Sequence, residues 1–453
     1  MTVDWPKKII FIYLLIALKF QLVSAQIGPD STRPNKWTNH FQLTVVSQSH
    51  FGFESLYSGN NSLSNAAEYG ATSITSTLFL GRRLWTGGAF YFNPEISGGK
   101  GLSSSLGVAG ALNGETYRVG NVEPQLFIAR AYFQHQIPLG PTGYEHVEDD
   151  ANQINGMIPS DRITISAGKF AISDFYDDNK FSHEPRTQFL NWSLMSNGAW
   201  DYPANTRGYT FGIVTQLVKR NWSIRISSVA EPAIANAPRM EYELPGAHSE
   251  TVQVERKIFV NKKPGKLRFI ISNTHSKAPS YVAGLKAIAA NDTYLLAVIS
   301  GDAESKTYGG KKFGLGFSGE QALSDDLGVF MRAGWNDGKH VSWAFTEIDR
   351  TLSAGLSLNG TKWKRPGDIF GVAGVVNAIS GVHQKFLKAG GYGFIIGDGN
   401  LNYGHEAIME VYYSALLSKF FWLTADYQFV NNPAYNKDRG PVSAFALRGH
   451  VEF

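Results

Sequence analysis

The sharpest pattern in the chain is a period of two over residues 442–453, VSAFALRGHVEF. From Phe445 onward, Phe445, Leu447, Gly449, Val451 and Phe453 fall on one face, and Ala446, Arg448, His450 and Glu452 on the other. Successive side chains of a pleated strand point to opposite faces, so this pattern predicts a strand. A half-buried strand of a soluble protein alternates in the same way. Position separates the two readings. The stretch stops on an aromatic, Phe453, with no polar tail. The last strand of a membrane barrel is expected to do this, since it must pair with the first and leave no open edge in lipid.

The alternation recurs along the chain. An opening strand is expected in 37–53, where Phe41, Leu43 and Val45 alternate with polar neighbours. In 125–137, Phe127, Ala129, Ala131 and Phe133 oppose Ile128, Arg130, Tyr132 and Gln134. In 222–227, Trp222, Ile224 and Ile226 oppose Ser223, Arg225 and Ser227. In 327–335, Leu327, Val329, Met331 and Trp335 oppose Gly328, Phe330 and Arg332, and 420–430 repeats the rhythm with Asp426 on its polar face. Short turns are expected at 81–85, 219–221, 262–266, 323–326 and 416–419. Long connections are expected at 97–123, 171–207, 230–248, 274–310, 382–404 and 431–442. Short turns on one rim and long loops on the other are the outer-membrane arrangement, the former periplasmic and the latter extracellular. The expected fold is therefore all-β: a closed, antiparallel transmembrane β-barrel of about sixteen strands, apolar outside and charged inside. Residues 369–376 are apolar on both faces, and Lys169 and Arg350 fall out of phase. In 279–299, Val282, Leu285, Ile288 and Ala289 have helical spacing, which predicts a helix within a long loop.

Composition narrows the class. With no Cys there is neither a disulfide framework nor a thiolate metal site. Charged residues at 18% are sparse for a soluble protein of this size, while 47 Gly and 13% aromatics suit a barrel. A net charge of +4 from scattered basic residues gives no reason to expect nucleic acid as a partner. Residues 1–25 read as a signal peptide, with Lys7 and Lys8, an apolar run over 9–18 and Val23-Ser24-Ala25 before the cleavage point. The barrel domain is then 26–453, placed among outer-membrane lipid as a multi-pass protein. Its last strand, through Phe453, is expected to engage the barrel assembly machinery.

Enzyme chemistry finds little support. Gly314, Gly316 and Gly319 match a dinucleotide-binding spacing but lie in an alternating strand and open no helix. There is no nucleophile elbow, zinc-protease helix or phosphate loop. No enzymatic activity and no cofactor are expected. A barrel-embedded hydrolase of envelope lipids and a plugged structural or adhesive barrel stand as alternatives. Asp174, Asp177 and Asn179 carry oxygens that Ca²⁺ uses, but without the spacing or glycine of a calcium loop; turn chemistry on a surface loop is the favoured account, and no metal is expected. The loop 171–207 is too long for a passive connection. Its Arg186, Trp192, Trp200, Asp201 and Arg207 combine ring faces with planar hydrogen-bonding groups, a set that suits sugars. The loop is expected to fold into the lumen and meet Arg130, Arg225, Arg332, Glu410, Asp426 and Arg448 from the wall at a constriction. Together these residues are the expected pore-lining or solute-binding set.

Three longer stretches bear on family. GKF at 168–170 leads into D-x-x-D-x-N at 174–179 and PRTQFLNWSLMSNGAWDYPANTRGYTFG at 185–212. LGVFMRAGWNDG occupies 327–338, and Glu410 with Tyr412 precedes LTADYQFVNNPAYNKDRGP at 423–441 and FALRGHVEF at 445–453. In these the chain resembles the carbohydrate-selective porin family, OprB. The resemblance implies a sixteen-stranded barrel whose inward-folded loops narrow the channel with arginines and acids. It implies passive diffusion of small sugars, with no energy source. The particular solute and the oligomeric state stay open.

Overall fold

A computed structural model describes residues 36–116, 122–141 and 143–453. The expected signal peptide, 1–25, lies outside the described residues. The first strands are β1 (Trp37–His50), β2 (Glu68–Trp85), β3 (Gly88–Gly99), β4 (Gln125–Pro138), β5 (Tyr144–Val147) and β6 (Gly156–Pro159). Next come β7 (Arg162–Phe170), β8 (Thr210–Lys219), β9 (Trp222–Ala230), β10 (His248–Val260), β11 (Lys263–Ser276) and β12 (Gly310–Ala322). The last are β13 (Leu327–Asn336), β14 (Arg350–Gly360), β15 (Arg365–Ala378), β16 (Glu406–Ser418), β17 (Phe421–Asn431) and β18 (Val442–Glu452). All but β5 and β6 form one closed barrel of sixteen antiparallel strands, each beside its sequence neighbour, with β18 returning to β1. The seam runs from Gln42 opposite Glu452 to His50 opposite Ala444. Closure leaves no unpaired strand edge, which lipid would not tolerate. No described helix is long and apolar enough to cross a membrane; the crossing is made by strands.

The expected faces hold over most of the wall. On β18, Phe445 and Leu447 are exposed and Arg448 and His450 are buried. Ile226, Val254, Phe269, Met331, Leu352 and Met409 continue the outward apolar belt on other strands. Aromatic residues gather where the belt meets water: Trp37, Trp85 and Phe259 at one rim, and Phe313, Trp335 and Phe51 at the other. In β4 the phase expected from sequence breaks. A bulge between Arg130 and Ile128 reverses the alternation, so Ile128 faces outward and Phe127 turns in toward Tyr209.

Loops sort by length as expected, with exceptions. One rim carries 51–67, 100–124, 171–209, 231–247, 277–309, 337–349, 379–405 and 432–441. The other carries short turns, but also 139–161, whose β5–β6 hairpin is an insertion. The turn expected at 81–85 is strand: Arg82 pairs with Trp37 and Phe90, and the chain reverses at 86–87. The turn expected at 262–266 contracts to Asn261 and Lys262, both at positive φ (49° and 66°), as a two-residue hairpin requires. Pro264 follows as the second residue of β11. The single helix expected in 279–299 is two, Tyr281–Ala290 and Thr293–Ser300. Asn291 ends the first in the left-handed region, and the Asp292 carboxylate caps the second by accepting the Leu295 N–H at 3.0 Å.

The long loops pack on one another. Tyr281, Val298, Trp343, Ile348, Phe386, Phe394 and Tyr435, from four different loops, form a hydrophobic core above the wall. A second core lies within the lumen. There Phe189 and Leu194 pack on Phe330, Ala373, Val375, Ile408 and Tyr412 of the wall. This explains the apolar character of both faces of 369–376: one face meets lipid, the other a loop.

Candidate functional site

The loop 171–209 crosses the lumen and is held there residue by residue. Arg332 of β13 is wholly buried and binds Asp177 through Nε at 2.8 Å. Its Nη1 donates to the Leu194 carbonyl at 2.8 Å, and its Nη2 to the Ser182 carbonyl. Glu410 of β16 accepts the N–H groups of Leu190 at 2.6 Å and Asn191 at 2.9 Å. Arg448 of β18 donates to the carbonyls of Pro185 at 2.6 Å and Gln188 at 2.8 Å. Tyr176 Oη donates to the Thr251 carbonyl of β10 at 3.0 Å, and Asn191 Nδ2 to Gln428 Oε1 of β17 at 3.0 Å. A short helix, Trp192–Met195, is capped by the Asn191 side chain, which accepts the Ser193 N–H at 3.1 Å. Every one of these wall anchors lies between β10 and β18.

The space that remains lies on the opposite side. A cavity of about 610 Å³ is bounded by Gln42 of β1, Thr75 and Phe79 of β2, Glu95 of β3, Arg130 and Gln134 of β4, Thr164 of β7 and Gln216 of β8. Facing this wall are Glu115 of loop 100–124 and Asp174, Arg186, Trp192, Arg207 and Tyr209 of the lumen loop. A second cavity of about 200 Å³ shares Gln134, Asn152, Gln153, Thr164 and Gln216 with it and continues toward Arg83, Gly87 and Arg162 at the short-turn rim. The 139–161 insertion thus borders both spaces.

Charges at the large cavity alternate in sign. Arg130 binds Asp174 with two hydrogen bonds of 2.7 Å, the planar fork geometry that suits arginine. Arg186 spans the space, reaching Glu115 at 3.1 Å, Gln42 Oε1 at 2.9 Å and Glu95 at 3.4 Å. Arg207 lies 4.1 Å from the centre of the Phe127 ring and donates to Gln125 Oε1 at 2.9 Å. Tyr209 Oη lies 3.0 Å from both oxygens of Glu95. Burial pushes the Glu115 carboxyl above its ordinary value, against the pull of Arg186 and with the help of the nearby Glu184 and Glu95 charges. Trp192 stacks on Phe345 at 4.0 Å and lines the cavity.

Of the residues singled out in the sequence, Arg130, Asp174, Arg186, Trp192 and Arg207 meet at this cavity. The others stand elsewhere. Trp200 packs against Tyr176 at 5.7 Å. Asp201 accepts the N–H groups of Trp343, Ala344 and Phe345 at 2.8–3.1 Å and the Lys312 ammonium at 3.0 Å, tying the loop to 337–349. Arg225 belongs to a wall ladder, 3.8 Å from Glu255, which Arg268 links to Glu320. Arg332, Glu410 and Arg448 anchor the loop, and Asp426 sits beside them, accepting from Gln428 Nε2 at 3.3 Å. Asp174, Asp177 and Asn179 do not converge: the first two face different arginines, and Asn179 Oδ1 accepts the Phe181 N–H at 3.0 Å. Glu95 and Glu115 were missed. Glu95 was legible, since Tyr91, Asn93, Glu95 and Ser97 share the buried face of β3; nothing local marks Glu115, which lies in a loop.

The fold is similar to solved porin structures. The high-pH structure of Pseudomonas putida OprB aligns with a TM-score of 0.66 at 13% identity, over 92% of this chain and 94% of that one. The low-pH structure of the same protein gives 0.49 at 10% identity, over 100% and 98%. The outer membrane channel DcaP of Acinetobacter baumannii gives 0.48 at 10% identity, over 92% and 97%. At such identities the likeness is one of fold. No curated protein matches the chain. The model of the carbohydrate-selective porin, OprB family, matches residues 68–453, which include every barrel strand except β1. On that match, the chain belongs to the OprB family of carbohydrate-selective porins.

Proposed function

We propose that carbohydrates cross this outer-membrane diffusion channel on the β1–β8 side of the lumen, past an aperture of Arg130, Arg186 and Arg207 set against Glu95, Glu115 and Asp174. The observation that carries this reading is the 610 Å³ cavity whose lining alternates guanidinium and carboxylate groups. Its volume falls within the range of small-ligand pockets. A sugar entering it exchanges hydration for hydrogen bonds to planar donors and acceptors. Those groups are already paired with one another, so each contact is made at the expense of an existing one and stays weak. Weak contact is what transport needs, because a solute held tightly does not leave. Millimolar affinity, about −4 kcal/mol, is the expected scale.

The test is liposome swelling with a size series from pentose to trisaccharide, together with glucose block of single-channel conductance. The expected result is swelling that falls with solute size. Arg130→Gln combined with Arg186→Gln is expected to weaken glucose block about tenfold, the equivalent of one charge-assisted hydrogen bond. Conductance without any block by glucose, unaltered by the double substitution, would move solute selection away from this aperture. A folded barrel without conductance would favour the plugged, structural reading.

A further inference from the structure

We infer that His248, Glu250 and His275 form a divalent transition-metal site on the outer face of the barrel, above the apolar belt at the long-loop rim. His248 opens β10 and His275 lies one residue from the end of β11, and the two are register partners. Period two puts both on the outward face. Their phase is that of Val252, Val254, Ile271 and Phe269, while the intervening Ser249, Thr251 and Gln253 are buried toward the lumen. Glu250 follows His248 on the same face, two residues nearer the lipid. The site belongs neither to the aperture nor to the loop anchors.

The donor geometry is that of a ligand set. One donor atom from each residue lies within 4.8 Å of the others. Two ligands at 2.0–2.2 Å from one ion are at most roughly 4.4 Å apart, so a small side-chain rotation closes the set, and none of the three is fully buried. The two imidazoles stack with centroids 4.9 Å apart and planes 12° from parallel; since each lone pair lies in its ring plane, an ion is taken up by turning one ring about its Cβ–Cγ bond. His248 Nδ1 is 2.6 Å from the Leu244 carbonyl oxygen, which only accepts, so Nδ1 donates there and Nε2 is the nitrogen turned to Glu250. A carbonyl holding the far nitrogen of a histidine is the usual outer-shell partner of a metal ligand. Asn273 Nδ2 lies 3.1 Å from His275 Nε2, a contact that an ion bound at that nitrogen would replace. Glu250 Oε1 lies 2.8 Å from His248 Nε2, so a proton bridges the two when no ion is bound, and a cation held by both atoms would displace it.

Two imidazoles and a carboxylate suit Zn²⁺ and Cu²⁺ rather than Ca²⁺ or Mg²⁺, which prefer oxygen alone. Three protein ligands leave a coordination position open to water. Such an ion would bridge the ends of β10 and β11 at the base of loops 231–247 and 277–309. Lys311, the register partner of His275 on β12, stands on the same face and opposes the cation.

The test uses the full chain, purified in detergent without a polyhistidine tag and titrated with Cu²⁺ under electron paramagnetic resonance. The expected result is one site per chain, with splitting from two nitrogens and displacement by Zn²⁺. His248→Gln and His275→Gln should each leave a one-nitrogen signal and weaken binding more than about tenfold, since loss of even an outer-shell partner costs 10- to 100-fold. Glu250→Gln should weaken it with both nitrogens retained, and Lys311→Gln should strengthen it. All three ligands face away from the lumen, so a retained heat-induced mobility shift and unchanged single-channel conductance certify that each variant is folded. The site is overturned if the two-nitrogen signal survives in the His248→Gln/His275→Gln double variant. It is equally overturned if the native chain binds Cu²⁺ no more tightly than that variant.

Discussion

Arg332 and Arg186 carry the same guanidinium to opposite ends. Arg332 has no exposure, and its donors are consumed by one carboxylate and several loop carbonyls. Arg186 keeps an edge on the cavity, and its partners Glu95, Glu115 and Gln42 border the same space. The second arrangement is sensitive to pH through Glu115. Burial is the main cause that raises its carboxyl, Glu184 and Glu95 add to it, and Arg186 only partly compensates. As pH falls from neutrality, Glu115 therefore takes up a proton before an ordinary glutamate does. The aperture then loses one negative charge while its arginines stay charged, so selectivity should shift toward anions. Reversal potentials in a salt gradient at pH 7 and pH 5 measure this. The native channel should become more anion-selective at pH 5, and Glu115→Gln should show that selectivity already at pH 7. Equal shifts in both proteins would assign the titration to other carboxylates.

At the level of elements, the lumen loop behaves as a folded insert. Arg332→Met leaves Asp177 buried without its counter-charge, a loss on the order of 3–5 kcal/mol. The expected outcome is a lower temperature for the heat-induced mobility shift and a higher, noisier single-channel conductance. Unchanged conductance would mean that the remaining anchors, Glu410 and Arg448, hold the loop unaided. The sequence made the strands legible because lipid on one side and polar groups on the other enforce a period of two. It was legible also that the loop turns inward, from its density of rings and charges. What each charge does there was not. Arg130, Arg225, Arg332 and Arg448 all occupy the polar face of a strand, and alternation treats them alike. Only the path of the loop decides which become anchors, and that path depends on pairings such as Arg332 with Asp177, 155 positions apart. Local errors had local causes: the bulge at Ala129 reversed a face, and Asn291 with Asp292 broke one helix into two.

For the whole molecule, the sorting of loops by length implies an orientation. With no Cys in the chain, single cysteines report it cleanly. Lys437→Cys, on an exposed tip of loop 432–441, should react with a membrane-impermeant maleimide on intact cells, and Lys262→Cys should react only after the outer membrane is opened. The reverse pattern would invert the barrel. Within that orientation the lumen is divided: β10 to β18 carry the anchors that hold the loop against the wall, while β1 to β4, β7 and β8 bound the open side and meet the loop through Arg130 and Gln42 at the cavity. This division has an evolutionary consequence. Substitutions at Thr75, Gln134 or Gln216 alter what a passing solute touches without loosening any anchor. A lineage of such proteins can therefore change its diet on one arc of the wall while the other arc is constrained by foldability, and the two arcs should drift at different rates.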